Sequence, residues 1–303
     1  MIAGRARRGP RLVAAALVAA ALAGGCARPD APPPAAASAP APPSTTTTSP
    51  PTTTTSPAPA PSRARAAVEA TAPAGRERSN VTLGVAVLDR TTGEITTNDE
   101  GDTPLRAASV AKLFTVVDVL TSRAAGQVTV TPGDEQRIRR ALGPSDDEAM
   151  NGLWSRFGGP ETIQRVSALL GLAHTSPPAR TGQWGEVETS ARDVATLYAF
   201  VTTRLAPADR DLVLSSMKSA PATAADGFDQ GFGLLDPARR GTAAAKQGWL
   251  CCLESSVDLH STGLPDADGR YVVVLLSNQP RGYGAARTLL DDAAGAARDA
   301  LAG

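Results

Sequence analysis

The chain has 303 residues, enough for one or two domains, with 30 basic residues balanced by 30 acidic ones, 42% hydrophobic residues and only 4% aromatics. That neutrality argues against a protein whose main partner is nucleic acid. It hides an asymmetry, because residues 1–65 hold seven arginines (5, 7, 8, 11, 28, 63 and 65) against one acid, Asp30, which leaves the remainder mildly acidic.

The first predicted element is a targeting segment. Arg5, Arg7, Arg8 and Arg11 form a positive region ahead of an apolar run of 12 residues, Leu12 to Ala23. That run is shorter than the ~20 residues a spanning helix needs, and it suits the apolar part of a signal peptide. It ends in Leu22-Ala23-Gly24-Gly25-Cys26. Small residues immediately before a cysteine resemble the bacterial lipoprotein signal, in which that cysteine is acylated and becomes the new N-terminus; the alternative is ordinary secretion with an incidental cysteine. The lipoprotein reading places the signal at 1–25, with Cys26 as the lipidation site and an anchor on the outer face of the cell membrane.

Residues 26–66 read as a tether. They are mostly Pro, Ala, Ser and Thr, with two runs of four threonines at 45–48 and 52–55. Such a segment buries too little apolar surface to offset its ordering entropy. Proline-rich chain extends by ~3.1 Å per residue, a reach on the order of 100 Å.

The folded part is expected from Ala67 to the end, at 67–303. Val81 to Asp89 is β-rich, Arg90 to Gly93 turn the chain, and Glu94 to Thr97 return as a hairpin. The middle, about 108 to 215, reads helical, with Leu113, Val116, Val117 and Leu120 on one face and Val194, Leu197, Phe200 and Val201 on another. Strands resume at Gly231 to Leu235, Ala243 to Cys252, Ser256 to Ser261 and Tyr271 to Leu276, and a terminal helix runs from Tyr283 to Leu301. The pattern predicts an α/β protein of the α+β type. An antiparallel sheet is built from both ends of the chain and flanked by helices, with a mostly helical subdomain inserted.

Two cysteines remain after Cys26, adjacent at 251 and 252. Two partly buried thiols are the first expectation, a vicinal disulfide the second and a metal site the third. His260 alone would not complete a ligand set, and neither His-x-His-x-Asp nor His-Glu-x-x-His occurs, so a metal hydrolase is not expected. His174 and His260 are read as structural; without a Gly-x-Ser-x-Gly elbow, neither fits a Ser-His-Asp hydrolase. The tryptophans at 154, 184 and 249 are read as core or wall.

Three short strings carry candidate chemistry. Ser109-Val110-Ala111-Lys112 opens an amphipathic helix, where positions i and i+3 share a face and the N-terminus offers unpaired N–H groups. A desolvated lysine can act as base for such a serine. Ser145-Asp146-Asp147 lies in a loop before a further helix, and a helix cap is its plain reading. Lys246-Gln247-Gly248 sits in a strand that continues into Trp249, where glycine permits close approach of another group or marks a bulge by an edge. Lysine occurs only at 112, 218 and 246, every other basic residue being arginine, so two of three lysines fall in these strings.

In this order the strings resemble the Ser-x-x-Lys, Ser-Asp-Asn and Lys-Thr-Gly set of the class A β-lactamases and penicillin-binding proteins. The resemblance covers about 78–302 and implies a serine hydrolase. Ser109 would be the acylated nucleophile, Lys112 the base and Ser145 the proton relay. Lys246 would favour an anionic substrate carboxylate, and the backbone N–H groups of Ser109 and Trp249 would form the oxyanion hole. Asp147, Gln247, Gly248 and Trp249 would line the substrate. The implied ligand is a β-lactam or a peptidoglycan-related molecule, bound by a monomer without cofactor or metal. The pattern departs from the family at Asp147 for Asn and Gln247 for Thr. It also lacks the family's Glu-x-x-Leu-Asn deacylation segment, Glu186 and Glu188 being the carboxylates nearby in the chain. Those departures imply slow deacylation, or a catalytically impaired member that binds a cell-wall ligand or a protein.

Overall fold

The computed structural model describes residues 62–303 apart from Glu77, Ala267, Asp268 and Arg281. The expected signal peptide, Cys26 and all of the tether up to residue 61 lie outside the described residues. The elements follow in chain order as α1 (Arg63–Arg76), β1 (Thr82–Asp89), β2 (Ile95–Thr97), β3 (Leu105–Arg106), α2 (Ala111–Ala124), α3 (Pro132–Leu142), α4 (Asp147–Phe157), α5 (Pro160–Leu170), β4 (Glu188–Thr189), α6 (Ala191–Thr203), α7 (Pro207–Lys218), β5 (Ala244–Leu253), β6 (Ser256–Leu264), β7 (Tyr271–Gln279) and α8 (Tyr283–Ala302).

The five-stranded sheet has the order β2-β1-β7-β6-β5, with every neighbouring pair antiparallel. Strands from the two ends of the chain meet at its centre, where β1 lies beside β7 in register Val85↔Leu275. Both strands are buried on both faces, so they read in sequence as near-continuous apolar runs rather than as an alternation. The period of two still sorts their side chains. Ala86, Leu88, Val272, Val274 and Leu276 join the core under the helical subdomain. Leu83, Val85, Val87, Val273 and Leu275 join the core under α1 and α8.

Helix α2 is the axis of the inserted subdomain. Its predicted apolar face, Leu113, Val116, Val117 and Leu120, is fully buried, but so are Phe114 and Val119 on the remaining sides. The helices around it start on local signals. Thr131 and Asp134 form a capping box on α3, Asp146 accepts from the Ala149 N–H on α4, and Ser190 accepts from the Asp193 N–H on α6. Each cap satisfies an N–H that the first turn leaves without a helical partner.

Two expectations fail. The folded part begins earlier than Ala67, because α1 runs from Arg63 and packs against α8. Its first arginine donates to the carbonyls of Leu301 at 3.1 Å and Gly303 at 2.8 Å. The Ala- and Arg-rich run that looked like tether is ordered by contacts with the far end of the chain. Gly231 to Leu235 is not a strand, and Gly233–Leu235 form a 3₁₀ turn. There Gly233 donates to Asp291 Oδ1 at 2.6 Å and Leu234 to Ser261 Oγ at 2.8 Å, so those N–H groups are satisfied by side chains rather than by a ladder. Gly233 has φ +58°, and a Cβ there would lie 2.6 Å from Ser261 Cβ.

Candidate active site

The first string sits where the chain turns from β3 into α2. Strand β3 pairs with β4, and the Ala107 N–H donates to the Val187 carbonyl at 2.6 Å. A 3₁₀ turn over Ala108–Val110 then leads into α2. Ala108 has φ +47°, an unfavourable region for a residue with a Cβ and one found where surrounding structure dictates the backbone. The turn sets Ser109 and Lys112 side by side, and Lys112 Nζ lies 2.9 Å from Ser109 Oγ.

The second string is held by its neighbours. Asp146 caps α4 and receives the Arg140 guanidinium, whose Nε lies 2.8 Å from Oδ2. The cap expected of this string is therefore Asp146, not Ser145. Ser145 itself adopts φ +56°, which turns both its carbonyl and its hydroxyl towards Lys112, at 2.6 and 3.0 Å from Nζ. Asp147 opens α4 and places Oδ1 2.7 Å from the same ammonium.

The third string comes from β5, an edge of the sheet. Lys246 Nζ donates to Ser145 Oγ at 2.8 Å and to the Gln247 carbonyl at 2.7 Å. The Ser145 hydroxyl thus stands between two lysines. Gly248 lets the strand press on the turn beneath Ser109. A Cβ there would lie 3.0 Å from His260 Cδ2, 3.2 Å from the Ala107 carbonyl oxygen and 3.2 Å from Val110 Cγ2. Ser109, Ser145 and Lys246, far apart in sequence, converge as expected.

Burial governs the charges. Lys112 and Lys246 are both fully buried. Desolvation pulls the Lys112 ammonium below the ordinary lysine range, while the Asp147 carboxylate pushes it back up. Lys246 is lowered well below that range, by burial first and by the nearby Lys112 charge second.

A cleft of about 350 Å³ opens beside Ser109 and is lined by Asp147, Asn151, Trp184 and Trp249 among others. Trp249 stacks on Phe228 with centroids 4.5 Å apart, and its Nε1 donates to Asp226 Oδ2 at 2.9 Å. Trp184 donates to Asn151 Oδ1 at 2.9 Å and lies 4.8 Å from Lys112 Nζ. The sequence reading missed Asn151 and Asp226. Asn151 was within reach of it, since it lies four residues after Asp147 on the same face of α4. Nothing local marks Asp226.

Several expected residues do other things. Gln247 does not line the cleft. It is buried, and its amide donates to the carbonyls of Gln230 at 3.2 Å and Phe232 at 2.6 Å. Glu186 pairs with Arg180 and Glu188 accepts from Ser176; both line a separate cavity of about 580 Å³ with Arg106 and Glu254. A third cavity, of about 550 Å³, lies at the C-terminal end of α8 around Arg239 and Arg298.

His260 is structural, its Nδ1 accepting from the Ser277 N–H at 3.2 Å and its Nε2 lying 2.7 Å from the Arg106 carbonyl. Cys251 and Cys252 are exposed and joined as a vicinal disulfide, where the β5–β6 register shifts. That corrects the expectation of two partly buried thiols, since the bulge carries both side chains out of the sheet's cover. Among the described residues no three His, Cys, Asp or Glu side chains cluster as metal ligands would.

Comparison with known proteins gives a consistent pattern. Residues 135–301 match the model of the beta-lactamase enzyme family. A Mycobacterium tuberculosis protein named "Putative lipoprotein LppW" is 37% identical over 237 residues, covering 77% of this chain and 73% of that protein. Among solved structures, a beta-lactamase from Chitinophaga pinensis superposes with a TM-score of 0.61 at 15% identity, over 77% of this chain and 98% of its own. An ancestral class A beta-lactamase gives 0.60 at 18% identity, over 77% and 99%. A point mutant of PBP-A, solved as an acyl-enzyme complex with penicillin G, gives 0.61 at 21% identity, over 78% and 96%.

Proposed function

Because this chain belongs to the β-lactamase enzyme family, we propose that it is an exported serine acyl-transfer enzyme in which a β-lactam or a related cell-envelope amide acylates Ser109. One observation carries the reading: Lys112 Nζ stands 2.9 Å from Ser109 Oγ, within reach for proton transfer. Neutral Lys112 takes the hydroxyl proton as Oγ bonds to the carbonyl carbon. The carbon–nitrogen bond then breaks, and Ser145, 3.0 Å from Lys112 Nζ, passes the proton to the leaving nitrogen. The backbone N–H groups of Ser109 and Trp249, both on the cleft, would stabilise the developing oxyanion. Release of the acyl group is slow, because Glu186 and Glu188 line a different cavity and the carboxylate in the cleft lining, Asp147, is tied to Lys112.

In the same proposal, residues 1–25 are removed, Cys26 carries lipid, and the tether up to α1 holds a monomeric domain off the outer face of the membrane. The leader sequence and the name of the mycobacterial relative support this placement.

A second reading has a specific observation in its favour. Asp147 Oδ1 is 2.7 Å from Lys112 Nζ and favours the ammonium, which cannot accept a proton. On that reading the cleft binds a cell-wall ligand or a protein without turnover. Intact mass after incubation with penicillin G separates the two. Acyl transfer requires an adduct on the wild-type chain and none on Ser109→Ala; the binding reading requires none on either.

A further inference from the structure

The cleft beside Ser109 exposes the opposite charge to the one its two lysines suggest. Asp147 is the charged side chain in its lining, and it is about half exposed. Its Oδ1 accepts from Lys112, while no hydrogen bond to Oδ2 is formed among the described residues. Neither lysine offers an ammonium to a ligand. Both are fully buried; Lys112 Nζ has four oxygen neighbours within 3.0 Å, and Lys246 Nζ is turned to Ser145 and the Gln247 carbonyl.

The arginines nearby are engaged elsewhere. Arg287 lies against the rings of Phe228 and Phe232, at 4.9 and 5.0 Å, and pairs with Asp229. Arg106 and Arg180 belong to the separate cavity and pair with Asp258 and Glu186. At the edge of the Trp249 ring a second carboxylate, the exposed Asp226, is fixed by the indole N–H at 2.9 Å. Trp184, Trp249 and Leu250 supply apolar wall.

We infer that the ligand selected by this cleft carries a positive charge beside an apolar body, a protonated or quaternary amine near its scissile carbonyl, in place of a carboxylate. A ligand carboxylate would meet the Asp147 charge with no cation in the cleft lining to offset it, whereas an ammonium gains from Asp147 and Asp226 together. The inference deepens the acyl-transfer proposal, and for its kinetic arm it rests on that reading.

The experiment uses the full-length chain in detergent and three p-nitrophenyl esters of matched size, whose acyl groups end in trimethylammonium, tert-butyl or carboxylate. The burst of p-nitrophenolate measures acylation. At low salt the trimethylammonium ester should react roughly threefold faster than the tert-butyl ester, a modest advantage of the size expected for partly exposed charges. The carboxylate ester should be slowest, and the cationic advantage should shrink with added salt and in Asp226→Asn. A carboxylate ester that matches or outruns the cationic one overturns the inference. The matching unreactive amides, titrated calorimetrically against Ser109→Ala, test the charge preference without chemistry. Tightest binding by the trimethylammonium amide supports the inference even if no ester acylates the wild type, in which case acyl transfer alone fails. Acylation by all three esters at one rate, with equal amide affinities, leaves acyl transfer standing and overturns the charge preference. Absence of both acylation and amide binding overturns both.

Discussion

Asp147 Oδ1 lies 2.7 Å from Lys112 Nζ, with Lys112 wholly buried and Asp147 half exposed. A buried base and its charged neighbour therefore oppose one another at the centre of the site. Burial favours the neutral amine that acyl transfer requires, and the carboxylate favours the ammonium. Acylation should rise with pH as Lys112 loses its proton, along a limb below the ordinary lysine range. Asp147→Asn removes the raising influence and restores a donor amide at that position. The limb should move to lower pH, and the acylation rate at neutral pH should increase, because the carboxylate that favours the ammonium is gone. Measured pH–rate profiles that coincide for the two proteins would show that Asp147 does not control the base.

Penicillin G, whose carboxylate the cleft disfavours, is expected to acylate the wild-type chain slowly and still leave an adduct that accumulates, with little steady hydrolysis. Loss of a general base typically costs ~10²–10⁴ in rate, and the carboxylates Glu186 and Glu188 line another cavity. Burst kinetics followed by intact mass checks this. Rapid multiple turnover would show that Asp147 or a further base activates water.

Lys246→Met should abolish acylation yet leave the protein as stable as the wild type, or more so, at neutral pH. Burial depresses the folded-state pKa of Lys246, so the protonated form opposes folding. Its penalty is complete below the folded value and fades as pH rises from there to the unfolded lysine value of ~10.4. Methionine fills similar space without a charge to desolvate. Thermal melts should show a flatter rise in stability with pH for the variant. A fall of more than ~5 °C at neutral pH would mean that the bonds from Lys246 to Ser145 and the Gln247 carbonyl outweigh its desolvation.

Gly248→Ala tests the contact between β5 and the turn under Ser109. The added methyl meets a carbonyl oxygen and a methyl group at 3.2 Å and an imidazole carbon at 3.0 Å. Overpacking of this kind costs ~1–3 kcal/mol, and here it pushes the strand away from the nucleophile. Acylation should fall well beyond what the loss of stability explains. Equal acylation rates in a folded variant would show that the strand position is not critical.

Cys26→Ser should release the protein from the membrane or leave it uncleaved by lipoprotein processing. Fractionation and N-terminal mass analysis decide this. A correctly processed, membrane-bound variant would rule out the lipid anchor.

Much of the site was legible because its chemistry is carried by residue type and order. Lys112 and Lys246 stood out in a chain that has one other lysine, and with Ser109 and Ser145 they form one hydrogen-bonded chain, Ser109 to Lys112 to Ser145 to Lys246. The two-ended sheet was legible as well, since β1 and β7 are apolar enough to demand burial on both faces. Helix α1 was not, because its Ala-rich start continues the composition of the tether before it, Pro73 lies inside it, and the helix it packs against, α8, lies more than 200 residues away.

The sequence by itself determined which groups could do chemistry and that the termini must pair to form the sheet, since hydrophobic periodicity and residue type are local properties. Only the tertiary structure decided what those groups face. It turned Gln247 away from the cleft, took Glu186 and Glu188 out of reach, and set Asp147 against Lys112 while Asp226 was brought to the rim by Trp249. Desolvation and charge pairing depend on neighbours distant in the chain. The sign of the exposed charge in the cleft is therefore a property of the fold, and no motif states it.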